Sequence, residues 1–193
     1  DGDLDLFVGV RLVPHLYGVP ANGYILRNDG KGNFLDVTAT VAPELLKLGM
    51  ITDAKWIDAN NDGVADLLIV GEWMSIKLFV QENGKFVDRS TEYGFDKTDG
   101  WYNVVETGDF NADGLVDFVV GNHGLNSRFK ASAAEPVAML INDFDQNGSV
   151  EQIITRYDHG VSYPLVLKQD LLIQMPYLRK RFLHFRDYRG KTV

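Results

Sequence analysis

The chain has 193 residues, of which 45% are hydrophobic and 24% charged, and its net charge at pH 7 is −8. These values are typical of a globular protein with one or two domains. The negative charge argues against a nucleic-acid partner, which would need a basic face. The absence of cysteine excludes disulfides, thiolate zinc sites and cysteine nucleophiles. No apolar stretch is long enough to cross a bilayer, so we expect no membrane insertion by this segment.

The chain opens on the second half of a motif that recurs further on. The segment Asp1–Gly9 reads Asp-Gly-Asp-Leu-Asp followed by three apolar residues and glycine. Because the first half of the motif is missing, we expect the chain to be a piece of a longer protein. Whether the truncated loop at Asp1–Asp5 binds a metal is left open.

Two hairpin patterns follow, at residues 24–38 and 77–91. Each contains a short apolar run, a Gly-rich turn, and Phe-x-Asp before a hydroxyl-bearing residue, which predicts a β-hairpin. Each hairpin leads to another apolar segment, an acidic loop, and an apolar run ending in Gly71 or Gly121. The unit repeats after about 50–60 residues with about four short strands, which predicts the blades of a β-propeller rather than a solenoid.

Three acidic loops share one spacing of oxygen-bearing side chains. Counted from the first acid of each loop, these side chains fall at positions 1, 3, 5 and 9, with glycine at position 6. Position 7 would contribute a backbone carbonyl, so its side chain can vary. The predicted metal ligands at positions 1, 3, 5, 7 and 9 are Asp58, Asn60, Asp62, Val64 and Asp66 in the first loop, Asp109, Asn111, Asp113, Leu115 and Asp117 in the second, and Asp143, Asp145, Asn147, Ser149 and Glu151 in the third.

This ligand set predicts three Ca²⁺ sites. Each loop holds three carboxylates, whereas Mg²⁺ would prefer fewer protein ligands, and zinc or iron would call for histidine or cysteine. An EF-hand is excluded, because position 12 is Ile69, Val120 or Ile154 inside a β-rich run rather than a bidentate acid. The alternative is an Asx-rich turn between strands, but the repetition of one spacing in three loops favours calcium.

The chain changes in character towards its end. A polar loop at Gly121–Lys130 replaces the hairpin of the third unit, and a strand is predicted at Val137–Ile141. We assign residues 1–160 to the repeats and 161–193 to a C-terminal, partly helical segment. The first part carries a net charge of −13 and the second +5. Two short helices are predicted at Gln169–Met175 and Tyr177–Tyr188, with an exposed basic face that includes Arg179–Arg181.

Residues 1–160 resemble the FG-GAP repeats of integrin α-subunit propellers, and still more the related bacterial VCBS repeats. The resemblance rests on Asp58–Gly71, Asp109–Gly121, the truncated Asp1–Gly9, and the Gly-x-Phe-x-Asp segments around Phe34 and Phe86. It implies a mainly β fold, here a partial β-propeller of about three four-stranded blades, in a secreted, surface-attached or periplasmic protein. The third loop departs from the pattern, since Glu151 replaces the last Asp and no apolar run ending in Gly follows.

Other residues carry weaker signals. His123 lies in the polar loop after a strand, where propellers often bind ligands, although a plain turn is favoured. We predict that Trp56 belongs to the core, and that Trp73 and Trp101 pack near loops rather than stack on sugar rings. No serine has the Gly-x-Ser-x-Gly context of a hydrolase nucleophile.

The sequence therefore predicts a non-enzymatic, calcium-binding propeller segment that acts in adhesion or recognition. Its partner would be a protein or glycan ligand of unknown identity, and exposed sheet edges favour a homodimer. The alternative is a scaffold or accessory domain of a carbohydrate-active enzyme, a polysaccharide lyase or hydrolase, with catalytic residues elsewhere or in the loop Gly121–Lys130.

Overall fold

The computed structural model describes residues 2–192, which divide into two compact units. The first unit contains residues 2–13 and 19–123, and the second contains residues 14–18 and 124–192. The boundary predicted at residue 160 concerns a change of sequence pattern and stays a prediction. Among the described residues, no helix has the length and apolar character needed to span a bilayer.

The first unit begins with a three-stranded antiparallel sheet of order β1-β2-β3. Its strands are β1 (Leu6–Gly9), β2 (Gly23–Asn28) and β3 (Phe34–Asp36). Helix α1 (Thr38–Val41) and a 3-10 turn at Pro43–Leu45 follow. The pairing of β2 with β3 confirms the first predicted hairpin.

A six-stranded antiparallel sheet completes this unit. Its strands are β4 (Met50–Ile57), β5 (Asp66–Met74), β6 (Lys77–Glu82), β7 (Lys85–Asp88), β8 (Gly100–Gly108) and β9 (Asp117–Asn122), with a 3-10 turn at Phe95–Lys97 between β7 and β8. The order is β7-β6-β5-β8-β9, and β4 also pairs with β5. Strands β4 to β7 thus form one four-stranded blade, and the hairpin β6–β7 confirms the second prediction.

Strand β5 is the centre of the core because its two faces are both buried. Leu67 and Ile69 pack with Ile25 and Phe79 in one apolar cluster. Leu68 and Val70 belong to a second cluster on the opposite face. Side chains alternate across a strand, so a continuous apolar run is what a strand covered on both sides requires.

A buried hydroxyl closes each hairpin of the first unit. The Thr38 Oγ1 accepts the Ile25 N–H at 2.8 Å and donates to Asp36 at 2.6 Å. Ser90 repeats this arrangement between the Leu78 N–H and Asp88. The Thr38 hydroxyl and N–H lower the pKa of Asp36. Burial opposes the same shift at Asp88, but hydrogen bonds from Ser90 and Lys77 outweigh it and lower the Asp88 pKa. The hydroxyl-bearing residue of the repeat is therefore a structural bridge.

The glycines that end the apolar runs lie beside irregularities in the neighbouring strand. The pairing of β4 with β5 shifts register between Ile51 and Asp53, close to Gly71. The pairing of β8 with β9 shifts between Tyr102 and Val104, and Val104 is paired with Gly121. A Cβ at Gly71 would lie 2.3 Å from the Met50 carbonyl oxygen, and one at Gly121 would lie 2.8 Å from the Val104 side chain. Close approach of the strands thus explains these glycines.

We expect Gly71→Ala to lower the free energy of unfolding by about 1–3 kcal/mol, because the methyl group meets backbone that cannot rotate away. Chemical denaturation monitored by far-UV circular dichroism measures this loss. Gly84→Ala is the control, since a Cβ at Gly84 has nothing within 4 Å. Its φ of 76° is strained for alanine, so a modest loss is expected there as well. A loss at Gly71 no larger than that at Gly84 would contradict the steric explanation.

The second unit contains a three-stranded antiparallel sheet and the C-terminal helices. Strand order is β10-β11-β12, with β10 (Ala138–Asn142), β11 (Glu151–Asp158) and β12 (Val161–Pro164). Helix α2 spans Lys168–Gln174, a 3-10 turn spans Pro176–Lys180, and helix α3 spans Phe185–Tyr188. The strand predicted at residues 137–141 and the first predicted helix are confirmed. The pairing of β10 with β11 has no register shift. This agrees with the sequence, in which no apolar run ending in glycine follows Glu151.

The second helix predicted in this region, Tyr177–Tyr188, is wrong as a continuous element. The 3-10 turn of this segment ends at Lys180, and α3 starts only at Phe185. At the start of α3, the Asp187 carboxylate accepts the His184 N–H at 2.7 Å. Leu183 and Phe185 are mostly exposed. A helix without a buried apolar face gains little from packing, so the segment breaks. The basic residues 179–181 are exposed as predicted.

The predicted fold class is confirmed. The chain is mainly β, with three antiparallel sheets and a short C-terminal helical segment, consistent with a partial β-propeller. Only β4–β7 form a complete four-stranded blade within residues 2–192.

Candidate functional site

Each of the three acidic loops joins two paired strands. Residues 58–66 connect β4 to β5, residues 109–117 connect β8 to β9, and residues 143–151 connect β10 to β11. The sequence thus places all three at the same point in a strand–loop–strand unit. The third loop has this place in the second unit, although its flanking sequence departs from the repeat.

The acid at position 1 organises each loop through both of its oxygens. Asp58 accepts the Asp62 and Gly63 N–H groups, each at 3.0 Å. Asp109 accepts the corresponding N–H groups of positions 5 and 6 at 3.1 and 2.8 Å. Asp143 does the same with both distances at 2.9 Å. The three loops therefore have one backbone conformation despite different neighbours.

Further hydrogen bonds within the loops are also the same in all three. The position 3 side-chain oxygen accepts the position 5 N–H in every loop, and the position 5 side-chain oxygen accepts the position 7 N–H. Position 4 has a left-handed backbone at Asn61, Ala112 and Gln146, with φ of 58°, 61° and 60°. The glycine at position 6 is also left-handed, with φ of 81°, 84° and 87°. Two left-handed residues turn the chain tightly enough to bring the oxygens inward.

The acid at position 9 ties the loop to its surroundings. In each loop it accepts the position 2 N–H, at 3.0 Å for Asp66, 2.9 Å for Asp117 and 2.8 Å for Glu151. Asp66 also accepts the Gln81 N–H of β6 at 2.8 Å, and none of its surface is exposed. The spacing of the loop residues does not predict this second role. The signal for it in the sequence is the fixed place of the acid directly before a buried strand.

The third loop brings three carboxylates together most closely. One oxygen each of Asp143, Asp145 and Glu151 lies within 4.8 Å of the other two, and Glu151 is buried. Within residues 2–192, no other group of three acids or histidines meets this limit. In the first two loops position 3 is asparagine, and its amide donates to the position 5 acid at 2.9 and 3.0 Å.

The donor set fits a hard divalent cation. All the side-chain atoms that could coordinate a metal in these loops are oxygens, the ligand atoms that Ca²⁺ prefers. The three clustered carboxylates of the third loop would repel one another without a counter-charge. The carbonyls of Val64, Leu115 and Ser149 stay predicted ligands, as do the remaining positions of the loops.

The truncated first loop shares one feature with the complete ones. Asp5 accepts the Asn28 N–H of β2 at 2.9 Å, as Asp66 accepts that of Gln81. Asp3 keeps one buried oxygen without a partner among the described residues. Asp1 lies outside the described residues, so this loop is described only from position 6 onward.

The aromatic residues singled out by the sequence have two different environments. The prediction that Trp56 belongs to the core is wrong, because 41% of its surface is exposed, although its ring centroid lies 5.7 Å from that of the partly buried Phe86. Trp73 and Trp101 are partly buried with ring centroids 5.1 Å apart. His123 stacks on Trp101 at 4.8 Å and 21°. The preference for packing at Trp73 and Trp101 is thus supported.

The chain matches the model of a known protein family. A model described as FG-GAP-like repeat matches residues 1–69 and 58–120, which together cover more than half of the chain. The two matches overlap at the first complete acidic loop, as expected for consecutive repeats. No curated protein matches the chain.

Proposed function

Because the chain belongs to the FG-GAP-like repeat family, we propose that it is a calcium-binding segment of a β-propeller that acts in adhesion or ligand recognition. The proposal includes an extracellular, cell-surface or periplasmic location, where millimolar calcium would fill even weak loops. It also includes a non-catalytic role for this segment.

The observation that carries the calcium proposal is the close carboxylate cluster of the third loop, whose oxygens lie within 4.8 Å of one another. The shared hydrogen-bond frame extends the argument to the first two loops, because the same positions hold oxygens there. Repeats of this family often bind Ca²⁺. Three Ca²⁺ ions, one per complete loop, are the proposed content.

Recognition is supported by the exposed His123 ring just after β9, which stacks on Trp101 of β8, while Trp101 in turn packs against Trp73 of β5. Aromatic side chains with a polar edge are enriched where proteins contact ligands. The proposed partner is a protein or a glycan. Strand β9 ends the six-stranded sheet among the described residues, and its Val119 is exposed. Edge pairing between two copies is therefore the proposed route to a homodimer.

The experiment that tests the calcium proposal is a thermal melt of the chain in excess chelator, with calcium, and with magnesium. Binding to the folded state alone raises stability with ligand concentration, so we expect a clear rise in Tm with calcium and a smaller one with magnesium. Equilibrium dialysis with metal analysis then counts the ions per chain. An unchanged Tm with no bound calcium would refute the proposal.

A further inference from the structure

The C-terminal segment contains an open cavity of about 550 Å³ between the start of α2 and helix α3. Its volume is within the range of small-molecule sites. All the lining residues belong to the second unit: Leu167, Lys168, Gln169, Phe185, Arg186, Tyr188 and Arg189. Three of these seven are cationic, and none is acidic.

Lys168 is the residue that makes this cavity unusual. The residue is only 8% exposed, and its ammonium group lies 5.1 Å from the centre of the Phe185 ring. No carboxylate pairs with it among the described residues, and its ammonium group faces the aromatic ring of Phe185. An anion in the cavity would supply the counter-charge that this ammonium lacks.

The acids nearby do not fill this role. Asp170 and Asp187 are the only acidic residues after residue 160, and neither lines the cavity. Asp187 accepts the His184 N–H at 2.7 Å and lies 3.8 Å from Arg186. The Arg186 side chain is largely exposed, and Arg189 is exposed as well. Among the described residues, Lys168 and Arg189 therefore have no carboxylate partner, whereas Arg186 lies beside Asp187.

The walls of the cavity also have a preformed, apolar side. The Tyr188 hydroxyl donates to the Val166 carbonyl oxygen at 2.7 Å, and its ring packs edge-on against Phe182 at 5.5 Å. These contacts fix α3 against the segment that precedes α2. Phe185 and Leu167 expose 67% and 68% of their surface. A ligand with one apolar face and one negative group matches this combination.

We propose that this cavity binds a small molecule that carries a carboxylate beside an apolar face. The carboxylate contacts Lys168 and Arg189, and the apolar face packs against Phe185. This site is separate from the acidic loops and does not rest on their calcium.

Ligand-observed NMR titration of the full chain in calcium tests the proposal with three probes. Glucuronate and cyclohexanecarboxylate each carry a carboxylate next to a ring face, and glucose is the neutral control. We expect saturable binding of a carboxylate that weakens with added salt, with no binding of glucose. Tighter binding of glucuronate would identify a sugar acid as the ligand class, and tighter binding of cyclohexanecarboxylate would identify an apolar acid. Failure of both carboxylates to bind, or equal binding of glucose, would overturn the proposal.

Matched variants locate the site. Arg189→Gln removes an exposed cation at the cavity and is expected to weaken binding by about tenfold, the usual effect of losing a charged hydrogen bond. Lys168→Met keeps the length of the side chain and is expected to abolish binding. Arg179→Gln changes an exposed residue of the same basic segment outside the cavity and should leave the affinity unchanged. Folded Arg189→Gln with wild-type affinity would overturn the assignment.

Discussion

Asp66→Ala is expected to lower the free energy of unfolding by about 4 kcal/mol, since each lost hydrogen bond to a charged group costs about 1.5–3 kcal/mol. The Asp66 carboxylate is fully buried and accepts the Ala59 and Gln81 N–H groups. Alanine would leave both donors without a partner and leave a gap beside β5. Urea denaturation in excess chelator measures the loss without any contribution from calcium.

Asp117→Ala is the matched control for this change. Asp117 occupies the same position of the second loop, but it is only partly buried and accepts the Phe110 N–H alone in the described contacts. In chelator, Asp117→Ala should lower the free energy of unfolding by less than half as much as Asp66→Ala. Similar losses at the two positions would show that the bond to β6 contributes nothing, and the account of Asp66 would fail.

Asp109→Ala is expected to act mainly through calcium. The loss of one ligand at position 1 should leave the Tm nearly unchanged in chelator, because Asp109 is exposed and its bonds stay within the loop. In calcium the variant should lose the stabilisation that a filled site provides. That stabilisation is about 2.7 kcal/mol when calcium is at 100 times the dissociation constant.

The control for Asp109→Ala is Asp96→Asn, which changes an exposed acid in the 3-10 turn far from the loops in sequence. This variant should melt like the wild type in both conditions. Equal losses at Asp109 in chelator and in calcium would mean that the loop is an ordinary turn. Metal analysis should show one ion fewer per chain for Asp109→Ala.

The strands and loops follow from the sequence because their signals are local. Alternation, turn glycines and the Asp-x-Asx-x-Asx-Gly spacing act within ten residues, and they predict the hairpins and the three loops well. The sequence shows Gly71 as part of a repeated motif, but it does not show why a glycine is required there. The close approach of the Met50 carbonyl oxygen depends on a register shift between strands, which no local pattern encodes.

The failures share a dependence on tertiary contacts. Trp56 lies in an apolar strand, yet 41% of its surface is exposed beside Phe86, since how completely a strand is covered depends on neighbouring elements. The segment Tyr177–Tyr188 has helical spacing, but too little apolar surface is buried to hold a continuous helix. The cavity around Lys168 joins two segments about twenty residues apart, so the basic run in the sequence gave no indication of it.

The hydrogen bonds of the acidic loops have a consequence for the kinetics of folding. Asp58 contacts residues four and five positions later, whereas strands β4 and β8 are joined through Thr52 and Tyr102, 50 positions apart. Short-range contacts form quickly, with closure of a ten-residue loop taking about 10–100 ns. Each loop should therefore be formed in the transition state. An ion that stabilises such a loop would speed folding and leave the unfolding rate nearly unchanged.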